Sequence, residues 1–178
     1  MDSVDLSAAL TRIPDYPESG IIFVDLTSLM MDADALQAAV DRIADQFAGK
    51  GITKVVGAEA RGFIIGTPVA YKLHAGFVPA RKPGKLPREV ISQSYELEYG
   101  ADSLQIHADA IKPGDIVLIV DDLVATGGTA VAQKKLVEAA GGTVAGFAFI
   151  TELEYLNPRE LIAKESDAPV FSLVQETK

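Results

Sequence analysis

The segment from Ile116 to Thr129 constrains the fold more than any other part of the chain. It begins with Ile-Val-Leu-Ile-Val, an apolar run typical of a strand that is buried on both faces of a parallel sheet. Asp121 and Asp122 follow this strand, and a run of small residues then leads into a helical pattern. Ligands of open α/β sheets bind at the carboxyl ends of the strands. We therefore predict a ligand site at this turn.

A phosphate group fits the start of the predicted helix. The first N–H groups of a helix have no partner within it, and the helix dipole adds partial positive charge there. Glycines allow the backbone to close around an anion, and threonine hydroxyls add donors. Because a hydrogen bond to a charged group contributes roughly 1.5–3 kcal/mol net, several such donors would hold a phosphate dianion without a lysine. The predicted phosphate-binding residues are Ala125, Thr126, Gly127, Gly128 and Thr129.

The acidic pair indicates a second function beside the phosphate. The carboxylates of Asp121 and Asp122 cannot bind an anion, because like charges repel. They suit ribose hydroxyls, or a Mg²⁺ ion held partly through water. An ordinary βα turn would explain Gly-Gly alone, but an acidic pair at the end of a buried strand favours a binding site.

Apolar periodicity in the rest of the chain predicts an α/β fold. Strands are expected at 20–25, 54–58, 76–80, 116–120, 143–150 and 170–174, and an antiparallel hairpin at 89–99 and 103–107. Helices are expected at 4–13, 63–73, 130–140 and 158–164, with one more that begins after Asp32 as its N-cap. Strands that alternate with helices form an open, mainly parallel, twisted sheet flanked by helices. A length of 178 residues suits one domain.

Composition limits the possible partners and location. The net charge of −9 argues against nonspecific binding to nucleic acid or to an anionic membrane. The chain has no cysteine, so it has neither disulfides nor a cysteine-ligated zinc site. It also has no signal-peptide pattern and no apolar run long enough for a membrane span, and we expect a cytoplasmic protein.

Four cations between positions 81 and 88 form the densest basic cluster in this acidic chain. The segment Arg-Lys-Pro-Gly-Lys-Leu-Pro-Arg contains two prolines and a glycine, and it cannot form a regular element. A solvated surface loop is one interpretation. The other is a hinged lid at the ligand edge of the sheet, in which Arg81, Lys82 and Lys85 bind a polyanion such as pyrophosphate.

Three more side chains are candidates for chemistry. Arg61 follows a predicted strand and precedes a helix, where its guanidinium can make fork contacts to phosphate oxygens. Glu96 and Glu98 lie on one face of the predicted hairpin strand, and either can act as an acid or base near a reacting sugar. The sequence alone does not show which of these two residues acts as the acid or base. His74 and His107 are isolated and are interpreted as structural.

Several of these segments match family motifs. The sequence V-D-D-x-x-A-T-G-G-T at 120–129 resembles the motif with which type I phosphoribosyltransferases bind 5-phosphoribosyl-1-pyrophosphate (PRPP). The segments at 15–23, 55–63, 81–87 and 95–100 resemble the adenine phosphoribosyltransferase family, and the likeness runs from about Asp15 to the C-terminus. R-K-P-G-K-L-P followed by L-E-Y-G is the narrowest of these motifs.

The resemblance implies a fold, a reaction and partners. It implies one type I phosphoribosyltransferase domain over 1–178, with a small hood from about 14–30 and 89–107 and a flexible loop over the active site. The implied reaction converts adenine and PRPP to AMP and pyrophosphate with Mg²⁺, in purine salvage, and the implied assembly is a homodimer. Transfer to a 6-oxopurine and a non-catalytic PRPP-binding regulator are the alternatives. A regulator should carry a nucleic-acid-binding surface or an added domain.

The resemblance also implies residue roles. The loop at 125–129 would hold the 5′-phosphate, and Asp121 and Asp122 would face the ribose. Glu98 would be the acid or base, with Tyr99 beside it, and the pyrophosphate would lie among the side chains of Arg61, Arg81, Lys82 and Lys85. Adenine would be held by Ile22, Phe23 and Val24.

Adenine recognition has a physical basis in this assignment. One backbone N–H and C=O pair matches its ring nitrogen and amine, whereas a 6-oxopurine would leave groups unpaired at roughly 1–3 kcal/mol each. Phe23 can stack on the ring. The chain departs from the family at Val24, where many members carry Arg, but recognition by the backbone does not need that side chain.

Overall fold

A computed structural model describes residues 3–97 and 99–178. The strands are β1 (Thr11–Pro14), β2 (Ile22–Asp25), β3 (Lys54–Ala58), β4 (Gly76–Ala80), β5 (Val90–Glu96), β6 (Ala101–His107), β7 (Ile116–Val124), β8 (Thr143–Leu153) and β9 (Val170–Glu176). The helices are α1 (Thr27–Met31), α2 (Ala33–Phe47), α3 (Arg61–Lys72), α4 (Gly128–Ala139) and α5 (Pro158–Glu165), with a 3₁₀ turn at Glu154–Leu156.

A five-stranded parallel sheet forms the centre of the molecule, in the order β4-β3-β7-β8-β9. Strand β7 is the middle strand, and residues Val117 to Val120 are fully buried, as expected for a strand covered on both faces. Apolar side chains from α2 and α3 pack on one face of the sheet, and those from α4 pack on the other. The open parallel α/β sheet predicted from the sequence is confirmed.

Strands β7 and β8 are longer than their apolar runs. Strand β7 continues to Val124, so Asp121 and Asp122 lie within the strand rather than after it. The reason is pairing: Asp121 lies opposite Phe149 and Leu123 lies opposite Thr151 on β8. Helices α3 and α4 each begin two residues before the predicted start, at Arg61 and Gly128. Both differences bring the predicted ligand residues into regular elements.

The N-terminal helix predicted at 4–13 is wrong. Turns occupy residues 6–9, and Thr11–Pro14 is β1, which pairs antiparallel with β2 so that Arg12 lies opposite Val24. The weak amphipathic pattern predicted a helix, but this segment instead forms backbone hydrogen bonds with β2, a strand later in the chain. Strand β2 begins at Ile22, after Gly20 at φ +86°.

The two segments expected to form a hood are separate two-stranded sheets. Strands β1 and β2 form one pair, and the hairpin of β5 and β6 forms the other. The hairpin packs on α4 and places Tyr95 near the start of that helix. The grouping of the two pairs as one hood stays a prediction. Within residues 3–97 and 99–178, no helix combines the length and apolar character that crossing a membrane requires.

Candidate active site

A cleft of about 290 Å³ opens at the carboxyl ends of β3 and β7, where the sequence predicted a ligand site. Parallel strands bring their carboxyl ends to the same edge of the sheet, so the starts of α3 and α4 meet there. Nine of the predicted site residues line the cleft: Arg61, Lys82, Asp121, Asp122, Ala125, Thr126, Gly127, Gly128 and Thr129. Residues 120–129, which are far from Arg61 and Lys82 in the chain, therefore share one site with them.

The loop before α4 has the geometry of an anion site. Gly127 is the N-cap of α4 at φ +94°, a conformation that side chains rarely adopt, and its carbonyl accepts from Val131 N at 3.0 Å. A Cβ on Gly127 would lie 3.1 Å from the carbonyl oxygen of Pro158 at the start of α5. A Cβ on Gly128 would lie 3.7 Å from the Tyr95 ring. The loop is thus held between α5 and the hairpin, with the start of α4 directed at the cleft.

Asp122 carries an unused acceptor beside this loop. Its side chain is buried, with the residue only 4% exposed. Oδ1 accepts from Leu123 N at 2.9 Å, whereas Oδ2 has no hydrogen-bond donor among the described residues. Oδ2 lies 2.9 Å from Nε of Arg61 in an ion pair without hydrogen-bond geometry. A buried carboxylate oxygen without a donor is costly, and a ligand hydroxyl would satisfy it.

Asp121 lies close to the first turn of α3. Its Oδ1 accepts from the N–H of Asp122 at 2.9 Å, and a Cβ built on Gly62 would lie only 2.9 Å from this oxygen. Burial, and then the neighbouring charge of Asp122, raise the pKa of Asp121 well above its ordinary value. Ionisation of both adjacent carboxylates is therefore unfavourable in the folded protein. A bound cation or hydroxyl donor would reduce this cost.

Arg61 lies between the acidic pair and the end of β2. It pairs with Asp122, and its charge also contributes to the lowered pKa of Asp25, which comes chiefly from hydrogen bonds donated by Thr27. The Arg61 side chain is about half exposed, at 48%. Its guanidinium is therefore held at the rim of the cleft with donors left for a ligand.

The state of Asp121 predicts an unusual pH dependence. Because its pKa is raised in the folded protein, this group stabilises the fold below its unfolded pKa and loses that contribution as the pH rises through the folded pKa. We expect Asp121→Asn to unfold at a higher temperature than the original protein at pH 7, by about 2–4 °C for each 1 kcal/mol that burial and repulsion cost the ionised carboxylate. Calorimetry from pH 5 to pH 8 measures the difference, which should shrink toward acid pH. A lower melting temperature at pH 7 would contradict the prediction.

The basic loop at 81–88 is anchored by acids. Glu59 forms ion pairs with Lys85 and with Arg81 (3.4 Å), and it accepts from the backbone N–H of Lys82 at 2.7 Å. Burial opposes the ionisation of Glu59, but the hydrogen bonds from Lys85 and Lys82 outweigh it and lower the pKa of Glu59. Glu59 lines the cleft, so it holds these cations beside it.

Lys82 and Arg81 differ in their relation to the cleft. Lys82 lines it, forms an ion pair with Asp102 on β6, and lies 3.5 Å from the hydroxyl of Tyr95. Arg81 is not among the lining residues, and its guanidinium carbon lies 5.8 Å from the ring centroid of Phe63. The loop thus presents one cation to the cleft and keeps the Arg81 guanidinium between Glu59 and Phe63.

Sequence reasoning did not assign roles to Glu59, Asp102 or Tyr95. Glu59 stands in the same short motif as Arg61, directly after β3, and Ala58 and Ala80 are paired neighbours in the sheet. That adjacency was the available signal, since it places Glu59 beside the loop that leaves β4. Asp102 and Tyr95 are opposite each other in the hairpin register, which the sequence did not define.

The residues predicted to hold adenine lie on another surface. Ile22 and Val24 line a second cleft of about 660 Å³, together with Leu153, Tyr155 and Leu156. The ring of Phe23, which alternates to the other face of β2, packs edge-on against Tyr16 with centroids 5.3 Å apart. The two clefts have no lining residue in common among the residues that the structure describes. The base-binding role of these residues stays a prediction.

The structure does not test which residue acts as the acid or base. Glu98 lies outside the described residues, and Tyr99 is 89% exposed at the tip of the hairpin. Glu96, the other candidate, ends β5 and is exposed. Among residues 3–97 and 99–178, no cluster of three or more His, Cys, Asp or Glu side chains could form a protein-only metal site.

Comparisons with known proteins agree with this geometry. The family model described as "Phosphoribosyl transferase domain" matches residues 30–173. A curated adenine phosphoribosyltransferase of Aeromonas salmonicida is 58% identical over 151 residues, which are 85% of this chain and 83% of the relative.

Solved structures also match over nearly the whole chain. The crystal structure of adenine phosphoribosyltransferase from Thermoanaerobacter pseudethanolicus has a TM-score of 0.90 at 46% identity and covers 96% of this chain and 98% of its own. That of the Giardia lamblia enzyme with 9-deazaadenine has a TM-score of 0.91 at 36% identity and covers 100% and 99%.

Proposed function

The chain belongs to the adenine phosphoribosyltransferases of the phosphoribosyl transferase family, and we propose how its residues divide the work of that reaction. The enzyme transfers the 5-phosphoribosyl group of PRPP to adenine and gives AMP and pyrophosphate, a step of purine salvage. Neither a 6-oxopurine transferase nor a non-catalytic regulator is favoured by the relatives. The observation that carries the residue assignment is the cleft in which the α4 loop, the acidic pair and Arg61 meet.

The loop from Ala125 to Thr129 binds the 5′-phosphate in this proposal. The start of α4 supplies backbone N–H groups, and Thr126 and Thr129 supply hydroxyls. Because these donors are fixed before the substrate arrives, little ordering is required when it binds.

Asp122 and Asp121 bind the ribose hydroxyls. Oδ2 of Asp122 supports this role, since it is buried, borders the cleft and lacks a donor. A carboxylate that accepts from a hydroxyl forms a strong, charge-assisted hydrogen bond. Arg61 stays paired to Asp122 and points its remaining donors to the pyrophosphate side.

The pyrophosphate is bound by cations of the basic loop and by Arg61. Lys82 already lines the cleft, and Lys85 is held next to it by Glu59. These side chains neutralise the leaving group as the bond from C1′ to its oxygen breaks. A bond from N9 of adenine to C1′ forms, the N9 proton passes to Glu98, and Tyr99 closes the site with the hairpin tip. Exclusion of water by this closure protects the sugar from hydrolysis.

We propose Mg²⁺ as the cofactor. The paired carboxylates of Asp121 and Asp122 fit a hydrated dication, because burial and the neighbouring charge of Asp122 raise the pKa of Asp121, and a cation nearby would offset that cost of ionisation. These two residues would hold the ion through water, and the bound ion supplies neutralisation of the pyrophosphate oxygens.

Adenine is assigned to the segment Ile22 to Val24. The second cleft, where Ile22 and Val24 meet Leu153 and Leu156, offers apolar walls for a purine ring. Recognition by backbone groups accounts for a preference for adenine over a 6-oxopurine.

A base-competition assay tests the proposed function. Purified protein with PRPP and Mg²⁺ should form AMP from adenine and should form little nucleotide from hypoxanthine or guanine, with a preference of at least about 30-fold because an unmatched donor and acceptor cost roughly 1–3 kcal/mol each. Replacing Mg²⁺ with excess chelator should stop the reaction. Equal rates for adenine and hypoxanthine would overturn the base assignment, and full activity in chelator would overturn the metal.

A homodimer and a cytoplasmic location complete the proposal. Arg81 lies outside the lining of its own cleft, with its guanidinium near the Phe63 ring of α3. Ile64 and Tyr71 of the same helix are exposed, and such apolar side chains suit a contact with a second copy. Sedimentation velocity tests this directly, since a single species of 18.8 kDa at micromolar protein would contradict it. The cytoplasmic location rests on the charged substrates, which do not cross membranes unaided.

A further inference from the structure

We propose that the ion pair between the buried Glu152 and the half-exposed Arg159 positions the loop that binds the 5′-phosphate, and that Arg159 is a positioning residue for PRPP and AMP. This inference rests on the proposed function, which assigns the 5′-phosphate to residues 125–129. Neither residue lines the 290 Å³ cleft, so the pair acts through the elements it joins.

The pair has the geometry of a rigid clamp. Glu152 is 1% exposed near the end of β8. Nε of Arg159 donates to its two carboxylate oxygens at 2.8 and 3.1 Å, and Nη2 donates to Oε2 at 2.8 Å. Nη1 of Arg159 donates to the carbonyl of Val170, the first residue of β9, at 2.9 Å. One guanidinium therefore fixes the first turn of α5 to two strands of the central sheet.

The charge of Glu152 depends on this contact. Burial opposes ionisation, but the hydrogen bonds and the charge of Arg159 outweigh it, so that the pKa of Glu152 is lowered. The carboxylate is thus ionised at neutral pH and binds the guanidinium as a full charge.

The first turn of α5 in turn supports the phosphate loop. The residue before Arg159 is Pro158, whose carbonyl oxygen would lie 3.1 Å from a Cβ on Gly127. The Ile162 side chain would lie 3.4 Å from that Cβ, and it is buried in the cluster that contains Val124, Ala130 and Val131. Gly127 thus has no room to move toward α5 as long as α5 stays in place.

A displacement of α5 would therefore move the backbone N–H groups at the start of α4, which donate to the phosphate in the proposed site. Gly127 is the N-cap of α4, so a shift of Pro158 or Ile162 changes the direction of the first N–H groups of that helix. These groups bind the phosphate only when they converge on it. The pair should influence ligands that carry the 5′-phosphate and should not influence pyrophosphate, which is bound by Arg61 and the basic loop.

The test compares two kinds of ligand, those that carry the 5′-phosphate and pyrophosphate, in two variants and a control. Glu152→Gln with Arg159→Gln removes both charges and leaves no unpaired ion, whereas Arg159→Lys keeps the charge but loses the fork. In the double variant we expect the Kd of ribose 5-phosphate and of AMP to rise about tenfold, because a misplacement of 1 Å can cost about 100-fold and this one is smaller. Arg159→Lys should give a smaller rise. The Kd of pyrophosphate with Mg²⁺ and kcat at saturating PRPP should change less than about twofold.

Lys164→Gln is the matched control, because it removes the other ion pair on α5, between Lys164 and Glu160 at 3.1 Å, without reaching the sheet. It should leave both dissociation constants unchanged. A lower melting temperature with unchanged ribose 5-phosphate binding in the double variant and in Arg159→Lys would overturn the inference and reduce the pair to a structural contact. An equal loss of both ligands would also overturn it. If the double variant does not fold, Arg159→Lys carries the test alone. Failure of the original protein to bind ribose 5-phosphate would instead overturn the phosphate assignment itself.

Discussion

Replacement of Asp122 by asparagine is expected to lower kcat/KM for PRPP at least about 100-fold, since a charge-assisted hydrogen bond contributes roughly 1.5–3 kcal/mol and two such contacts change. The amide loses the charge that pairs with Arg61 and weakens the acceptor that Oδ2 offers to a ribose hydroxyl. Steady-state kinetics with varied PRPP at saturating adenine measures the effect. The fold should survive, because the exposed Arg61 side chain can be solvated.

Asp41→Asn provides the control for this substitution. It makes the same chemical change and breaks an ion pair of similar length, 3.1 Å to Lys72, but between α2 and α3 and outside the cleft. Its kinetics should match those of the original protein. Asp122→Asn with kinetics within about threefold of the original would remove Asp122 from the ribose site, since that is under 1 kcal/mol.

The second large effect is expected at Glu98. Glu98→Gln keeps the size of the side chain but cannot take a proton, and turnover should fall about 10²–10⁴-fold, the usual contribution of general acid–base catalysis. The Kd of PRPP should be unchanged, because the substitution does not alter the phosphate loop, the acidic pair or the basic loop. Single-turnover kinetics and calorimetric titration with PRPP separate the two quantities.

Glu96→Gln is the matched control, two residues earlier in the chain. The sequence does not choose between these acids, and Glu96 is exposed at the end of β5. We expect its turnover to be close to that of the original protein. Loss of turnover in Glu96→Gln and not in Glu98→Gln would transfer the catalytic role to Glu96.

The central sheet and its ligand edge were predictable because their signals are local. The apolar run at 116–120, the acids after it and the Gly-rich turn lie within fourteen consecutive residues, and no contact with another segment is needed to interpret them. Asp32 was likewise recognisable as an N-cap, and its side chain accepts from Ala35 N at 2.9 Å. Such features depend on residues a few positions apart in the chain.

Features that depend on distant contacts were not predictable. Thr11–Pro14 became a strand because β2 was available to pair with it. Glu59 anchors the basic loop only because β3 and β4 are neighbours, and the partner of Glu152 lies on the helix after β8. A single sequence does not contain the register of such contacts, so the acids that hold the cations in place appear only in the folded chain.

In the proposed site, the two ends of PRPP are bound by different chemistry. The 5′-phosphate would be bound by main-chain amides at the start of α4, whereas the pyrophosphate would be bound mainly by the ammonium groups of Lys82 and Lys85. Acetylation removes the charge of a lysine but leaves a peptide N–H unchanged. Acylation of these two lysines would therefore weaken the hold on pyrophosphate and spare the hold on AMP, which separates release of the two products.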